Sequence, residues 1–437
     1  VATSSIHQYV QPLNRLAAPL IANSIFGLSI ELVDQAMIGH LSVSAYASVG
    51  AVGNFLYTIG GIIGAIAIAL NIYGSKAVGE KSPRKYLAYL SSSLFLDLLL
   101  GVSFGILCFL LKEPLLKQLY GFSGTALNDG VDYLSIMCGY FFLQLVIFTL
   151  TNCLKIKKNT KWVLIVSTTT TLLHTCLNYL LIFGAFGHHG LGVSGAAISS
   201  TFTLCLDAGA YAFLLRKDIR SALHLHPTKA VFIFRKSLPL MGQELLEGSV
   251  FIIVLNALLA HLSPLILSGY LLICQILQIG MMPAFMYSSA LLTLVSESKG
   301  ARNPSDLKNF PRVASVLAMI LFCLTGIIFY MLRTPIAGMI TNDTKLIRYS
   351  ADIFLVLWLA NVFRPLFEIY KSALQSVGRS TLVLVATCVV QSGSLILMLV
   401  LTFTAHLSLY GIAISLLFNY FLIFVFLHGA YIKCLKD

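Results

Sequence analysis

Twelve long apolar stretches run through the chain, separated by short polar turns. They cover roughly residues 13–40, 46–74, 86–111, 128–153, 161–184, 191–215, 237–261, 265–295, 312–331, 347–375, 380–404 and 409–431. A helix of about 20 mostly apolar residues crosses the hydrocarbon core of a bilayer. Lipid offers no partner to a backbone N–H or C=O, so spans that pair those groups internally are required. The pattern therefore predicts twelve transmembrane helices and an all-α polytopic membrane protein. Several stretches are longer than a bilayer needs, which predicts tilt, kinks or projecting ends.

The same pattern repeats at an offset near 220. Ala18-Pro19-Leu20 matches Leu238-Pro239-Leu240, and Ile38-Gly39-His40-Leu41-Ser42 matches Leu259-Ala260-His261-Leu262-Ser263. Gly79-Glu80-Lys81-Ser82-Pro83 matches Gly300-Ala301-Arg302-Asn303-Pro304, and Gly195-Ala196-Ala197-Ile198-Ser199 matches Gly411-Ile412-Ala413-Ile414-Ser415. The expected organisation is an N-terminal six-helix lobe over 1–215, a cytoplasmic linker loop over 216–236 and a C-terminal six-helix lobe over 237–437. Six spans return the chain to its starting side, so the halves share one orientation. Parallel repeats are a plan used by secondary transporters.

Composition agrees: 58% of residues are hydrophobic and 11% charged, against about 25% charged in a soluble domain. The net charge of +12 is distributed by loop rather than along a nucleic-acid-binding face. Twenty-one Lys and Arg residues fall at one set of alternate loops and helix ends, from Lys76 to Lys436, and 5 at the other: Lys112, Lys117, Arg333, Lys345 and Arg348. The positive-inside rule then expects both termini in the cytoplasm of a plasma (inner) membrane. The 9 cysteines are scattered singly and read as small apolar packers, not as a disulfide frame or metal site. No cleavable signal peptide is expected: the first apolar run is too long. The His188-His189 pair is a weak metal signal without a further ligand nearby. No Walker A signature or paired catalytic loop residues suggest an enzyme, and no cofactor or nucleic-acid partner is expected.

A few charges interrupt the apolar spans, and charges at membrane depth mark ion or substrate pathways. Asp34 lies 15 residues after Pro19, about 22 Å along a helix; Pro19 removes a backbone donor and is a candidate hinge. Taking a carboxylate out of water favours its protonated form, so Asp34 suits a site that loads and releases a proton, or Na⁺ with further oxygen ligands. Glu31 lies three residues earlier on nearly the same face. His174 and Asn178 are one turn apart on the fifth helix, and Asp207 on the sixth could join them; Asp97 on the third is less tied to a motif. In the second half, Glu247 follows Pro239 by eight residues, with Glu244 one turn before it. Arg364, Glu368 and Lys371 form one stripe on the tenth helix. Pro365 and Pro283 are expected to kink their helices. Gln144 and Gln275 are candidate cavity-lining residues, and some of the many Phe and Tyr residues could stack on cationic substrates.

Val33-Asp34 before Ile38-Gly39-His40-Leu41, Ala77-Val78-Gly79-Glu80-Lys81, Leu177-Asn178-Tyr179-Leu180-Leu181-Ile182-Phe183-Gly184, Gly192-Val193-Ser194-Gly195-Ala196-Ala197 and the Pro239–Glu247 segment stand in order along the chain. In these residues the chain resembles the multidrug and toxin extrusion (MATE) family, with a DinF-like proton-coupled branch as the expected subgroup. The resemblance implies two six-helix lobes around a V-shaped central cavity. It also implies export of amphiphilic or cationic small molecules by antiport with H⁺ or Na⁺. It makes Asp34 the first-lobe cation and proton residue and Glu247 a candidate second-lobe sodium ligand. Two positions depart from the family pattern. Asn178 stands where many proton-coupled relatives have Asp, and Arg364 stands where sodium-coupled relatives have Asp. A guanidinium cannot ligate Na⁺, which favours H⁺. The rival expectation is a lipid-linked oligosaccharide flippase of the same broader superfamily, supported by the positive charges of Arg364 and Lys371. Either way the expected partners are a small molecule and the bilayer, with the chain acting as a monomer.

Overall fold

A computed structural model describes residues 2–184 and 189–436, with side chains from Ile6 onward; His188 of the weak metal signal lies outside the described residues. Twelve helices are long and apolar enough to span a membrane. They are α1 (Ile6–Gly39), α2 (Val43–Gly79), α3 (Pro83–Tyr120), α4 (Gly124–Ile156), α5 (Lys161–Phe183), α6 (Gly192–Leu214), α7 (Ala230–Ala260), α8 (Pro264–Gly300), α9 (Pro304–Met331), α10 (Thr344–Ser376), α11 (Ser380–Thr404) and α12 (Ser408–Lys436). The described residues contain no strand. Outward-facing Leu98, Val102, Ile106 and Leu110 give α3 the continuous apolar face that lipid requires.

The chain divides into two compact units. Ala22–Val78 and Ser82–Met241 form one; the chain up to Ile21, Gly79–Lys81 and the chain from Gly242 form the other. Tyr9, Leu13, Leu16 and Ala17 of α1 are buried in the same hydrophobic core as Tyr287, Phe310 and Tyr431. Polar bonds hold this start of α1 in place: Tyr287 donates to Asn14 Oδ1 at 2.6 Å and Asn309 donates to the Tyr9 hydroxyl at 3.0 Å. The helix passes from one unit to the other between Ile21 and Ala22, just after Pro19, and it remains helical across that proline.

The sequence repeats carry matching local geometry. His40 and His261 each bring Nδ1 to 2.7 Å from the carbonyl four residues back, at the ends of α1 and α7. Lys81 and Arg302 both adopt left-handed backbone with φ of 54°, reversing the chain after α2 and α8. Three helices are interrupted along their length, and α11 ends in a π-helical turn at Val400–Thr404. A 3₁₀ turn at Met137–Gly139 interrupts α4, a π-helical turn at Leu246–Val250 interrupts α7, and α10 breaks at Asn361–Phe363. The break falls just before Pro365, which stands in the first turn of the following segment and has no N–H with which to continue the helical ladder back across 361–363. Pro283, by contrast, sits inside a continuous α8.

The segment between α6 and α7 includes a short helix, Arg216–Leu223. Asp218 accepts from Tyr86 at 3.2 Å and pairs with Lys157 at 2.5 Å. Ser91 donates to the Leu225 carbonyl and the Lys229 N–H donates to Ser92. The linker is thus bound along α3.

Candidate functional site

The site in the first unit is assembled where α1, α5 and α6 present polar side chains to one another. Close approach of α5 and α6 depends on Gly195, where a Cβ would lie 2.5 Å from the Leu181 carbonyl oxygen. That contact brings Ser199, one turn further along α6, against His174 and Asn178 of α5. Asn178 Nδ2 donates to Asp34 Oδ1 at 3.0 Å and lies 3.1 Å from His174 Nε2. Ser199 Oγ donates to Asn178 Oδ1 at 2.6 Å and lies 2.9 Å from His174 Nδ1. Thr203 Oγ1 lies 3.2 Å from the same Nδ1 and donates to the Ser199 carbonyl.

These bonds assign the protons. The Ser199 hydroxyl proton goes to Asn178 and the Thr203 proton to a carbonyl, so both hydroxyl oxygens are acceptors for His174 Nδ1–H. Nε2 is left facing the Asn178 amide. The same nitrogen also faces Asp34 Oδ2 at 3.4 Å. A proton held between these two atoms would join them by a hydrogen bond. Asp34 and His174 are each 19% exposed, so the pair is reachable without being fully solvated.

Other candidates in this unit fall outside the ring. Glu31 is exposed on α1 and bonds only Gln35 among the described residues, at 3.3 Å, so it stands outside the ring although it lies on nearly the same helix face as Asp34. Asp207 accepts from Thr170 at 2.7 Å, one turn of α5 below His174. Asp97 is buried and neither of its oxygens has a hydrogen-bond partner among the described residues. Gln144 is half-buried on α4.

The second unit buries an ion cluster. Lys371 Nζ lies 2.7 Å from Glu247 Oε2 and 2.7 Å from Glu368 Oε2. Gln243 donates to Glu247 and lies 3.1 Å from the Thr387 hydroxyl. Glu247 occupies the π-helical turn of α7, a distortion frequent at functional sites. Arg364 takes no part in these ion pairs: its guanidinium rests 5.7 Å from the Phe285 ring centre and 5.6 Å from that of Tyr420. Ring faces attract a cation by about 0.5–2 kcal/mol, and no carboxylate stands at ion-pair distance from this guanidinium among the described residues. Glu244 is exposed on α7 and Gln275 is exposed on α8. Ser199, Thr203, Gln243 and Thr387 escaped the sequence reading as site residues. For Ser199 a signal was present, since it closes the Gly195–Ser199 repeat.

Twelve membrane helices with polar side chains joined across their interiors define a membrane transporter rather than an enzyme. The MatE family model matches the chain twice, over residues 19–180 and 239–400, and the chain belongs to that family. It is 22% identical over 373 residues to a probable multidrug resistance protein NorM of Thermotoga maritima, covering 84% of this chain and 80% of the relative. It is 23% identical over 349 residues to the multidrug resistance protein NorM of Burkholderia vietnamiensis, covering 77% and 74%. An outward-facing multidrug resistance MATE family transporter of the MOP superfamily superposes with a TM-score of 0.87 at 16% identity, over 97% and 96% of the two chains. The bent form of the Vibrio cholerae MATE transporter VcmN does so with 0.86 at 19% identity, over 99% and 98%.

Proposed function

We propose that this chain exports amphiphilic or cationic small molecules by antiport, with H⁺ as the coupling ion. The observation that carries the reading is the contact of Asp34 Oδ2 with His174 Nε2, inside a ring closed by Asn178 and Ser199. Such a contact gains a hydrogen bond when a proton arrives and loses it when the proton leaves. It thereby couples the ends of α5 and α6 to the second half of α1. Pro19, two residues before α1 changes unit, is the hinge in this scheme. The named activity of the NorM relatives, multidrug resistance, supports the substrate class.

H⁺ is favoured over Na⁺ by the second unit. The Lys371 ammonium sits between Glu247 and Glu368, the carboxylates an alkali ion would need. The same pairing leaves Arg364 alone as an unpaired positive charge there, which weakens the flippase alternative with its cationic, pyrophosphate-binding cavity. The loop charges support a plasma (inner) membrane setting with both termini cytoplasmic. Each chain carries both sites, consistent with action as a monomer.

The test is export of a cationic dye from proteoliposomes under imposed proton or sodium gradients. Wild type should respond to the proton gradient, and Asp34→Asn should reconstitute normally yet export nothing above background. Unimpaired export by Asp34→Asn, or export driven by sodium alone, refutes the reading.

A further inference from the structure

A cavity of about 160 Å³ lies inside the second unit, bounded by the π-helical turn of α7 and the break in α10. It is small: drug-sized ligands occupy roughly 300–1,000 Å³, so an amphiphilic drug does not fit. Three observations bear on what does. Arg364 lines it and has no ion-pair partner among the described residues, while Lys371 takes both Glu247 and Glu368. Gln391 also lines it, is 3% exposed, and its side-chain carbonyl oxygen has no hydrogen-bond partner. The break in α10 sets the positive end of the segment Arg364–Ser376 at the cavity edge.

The cavity thus offers an anion-binding group and, separately, an orphaned acceptor awaiting a donor. Both are costly to leave unmet in a buried setting. Its lining carries Arg364, Glu247 and Glu368, and Lys371 pairs with both of those carboxylates from outside the lining, so the four charges sum to zero when all are ionised. A lone anion or a lone cation would unbalance them, whereas a ligand carrying both charges would not. Phe251 and Leu255 supply an apolar wall.

We propose that this cavity binds a small zwitterion of the α-amino acid type with an apolar side chain. Its carboxylate meets Arg364, its ammonium donates to Gln391 Oε1, and its side chain packs against Phe251 and Leu255. The site is separate from the Asp34 ring and does not depend on the coupling ion or the exported substrate.

The experiment is equilibrium binding of radiolabelled leucine to the purified full-length chain in detergent. The competitors are 4-methylpentanoate, which lacks the ammonium, and 3-methylbutylamine, which lacks the carboxylate. Saturable leucine binding is expected, with each competitor at least about tenfold weaker. Arg364→Gln and Gln391→Leu should each weaken leucine binding, by about tenfold or more for Arg364→Gln, whose lost bond is charge-assisted. No saturable binding by wild type overturns the proposal. So does equal binding of 4-methylpentanoate (an anion site) or of the amine (a cation site). If Arg364→Gln fails to fold, undiminished leucine binding by Gln391→Leu overturns the assignment of the ammonium.

Discussion

At the residue scale, the two units manage buried charge differently. Asp34 meets an amide and an imidazole, which are in turn bonded to two hydroxyls. Around Glu247 the partner is a fixed ammonium. Breaking a buried pair by removing one partner costs about 3–5 kcal/mol, whereas removing the whole set is far milder. Lys371→Met should therefore lower stability by about that amount in denaturation of the purified protein. Adding Glu247→Gln and Glu368→Gln to it should recover most of the loss. In the first unit, Ser199→Ala removes the donor that orients the Asn178 amide and leaves a buried oxygen unmet, at about 1–3 kcal/mol. It should reduce proton-driven export while the protein still reconstitutes. That His174 and Asn178 share a face of α5 was legible from their spacing; that this face meets Asp34 was decided by the fold. The position of Glu31 was not legible: helical spacing places it near Asp34, but which side of α1 faces protein is set by neighbours distant in sequence.

At the scale of elements, the repeat is visible in backbone detail. Gly195 and Gly411 occupy matched positions, and both press against backbone, with a Cβ at Gly411 lying 2.8 Å from the Leu401 carbonyl carbon. The roles then diverge. Ser199 reaches into the polar ring, whereas Ser415 bonds back to the Gly411 carbonyl. Gly195→Val should force α6 away from α5, costing roughly 1–3 kcal/mol as overpacking does, and should abolish export by opening the Ser199–Asn178 bond. The linker gives a second prediction at this scale. Asp218→Ala removes an acceptor shared by Tyr86 and Lys157, so hydrogen exchange over residues 216–229 should rise while α3 stays protected. The break in α10 was only half legible. Pro365 announced a distortion, but its placement at Asn361–Phe363 depends on how the two segments pack around the cavity.

At the scale of the molecule, topology is the testable consequence of the charge pattern. Cysteine introduced at Lys81 or Arg302 should be labelled by an impermeant reagent only from the cytoplasmic side. Cysteine at Phe122 or Thr341 should be labelled only from outside. The opposite pattern would reverse the orientation read from 21 against 5 basic residues. The division of the chain belongs to this scale as well. Tyr9, Leu13, Leu16 and Ala17 share their core with residues more than 250 positions away, such as Tyr287 and Phe310.

The sequence by itself determined the helices, their number, their repeat and the candidate coupling carboxylate. Those follow from local rules: apolar length, backbone satisfaction in lipid, and the cost of a charge inside it. Tertiary structure alone decided which buried charges are neutralised and which are not. Lys371 and Arg364 lie on one helix and read alike as sequence. One finds two carboxylates and the other finds two aromatic rings, a cavity and an unpartnered Gln391. Pairing between helices depends on rotation and packing about their axes, which residue spacing along a single helix does not encode.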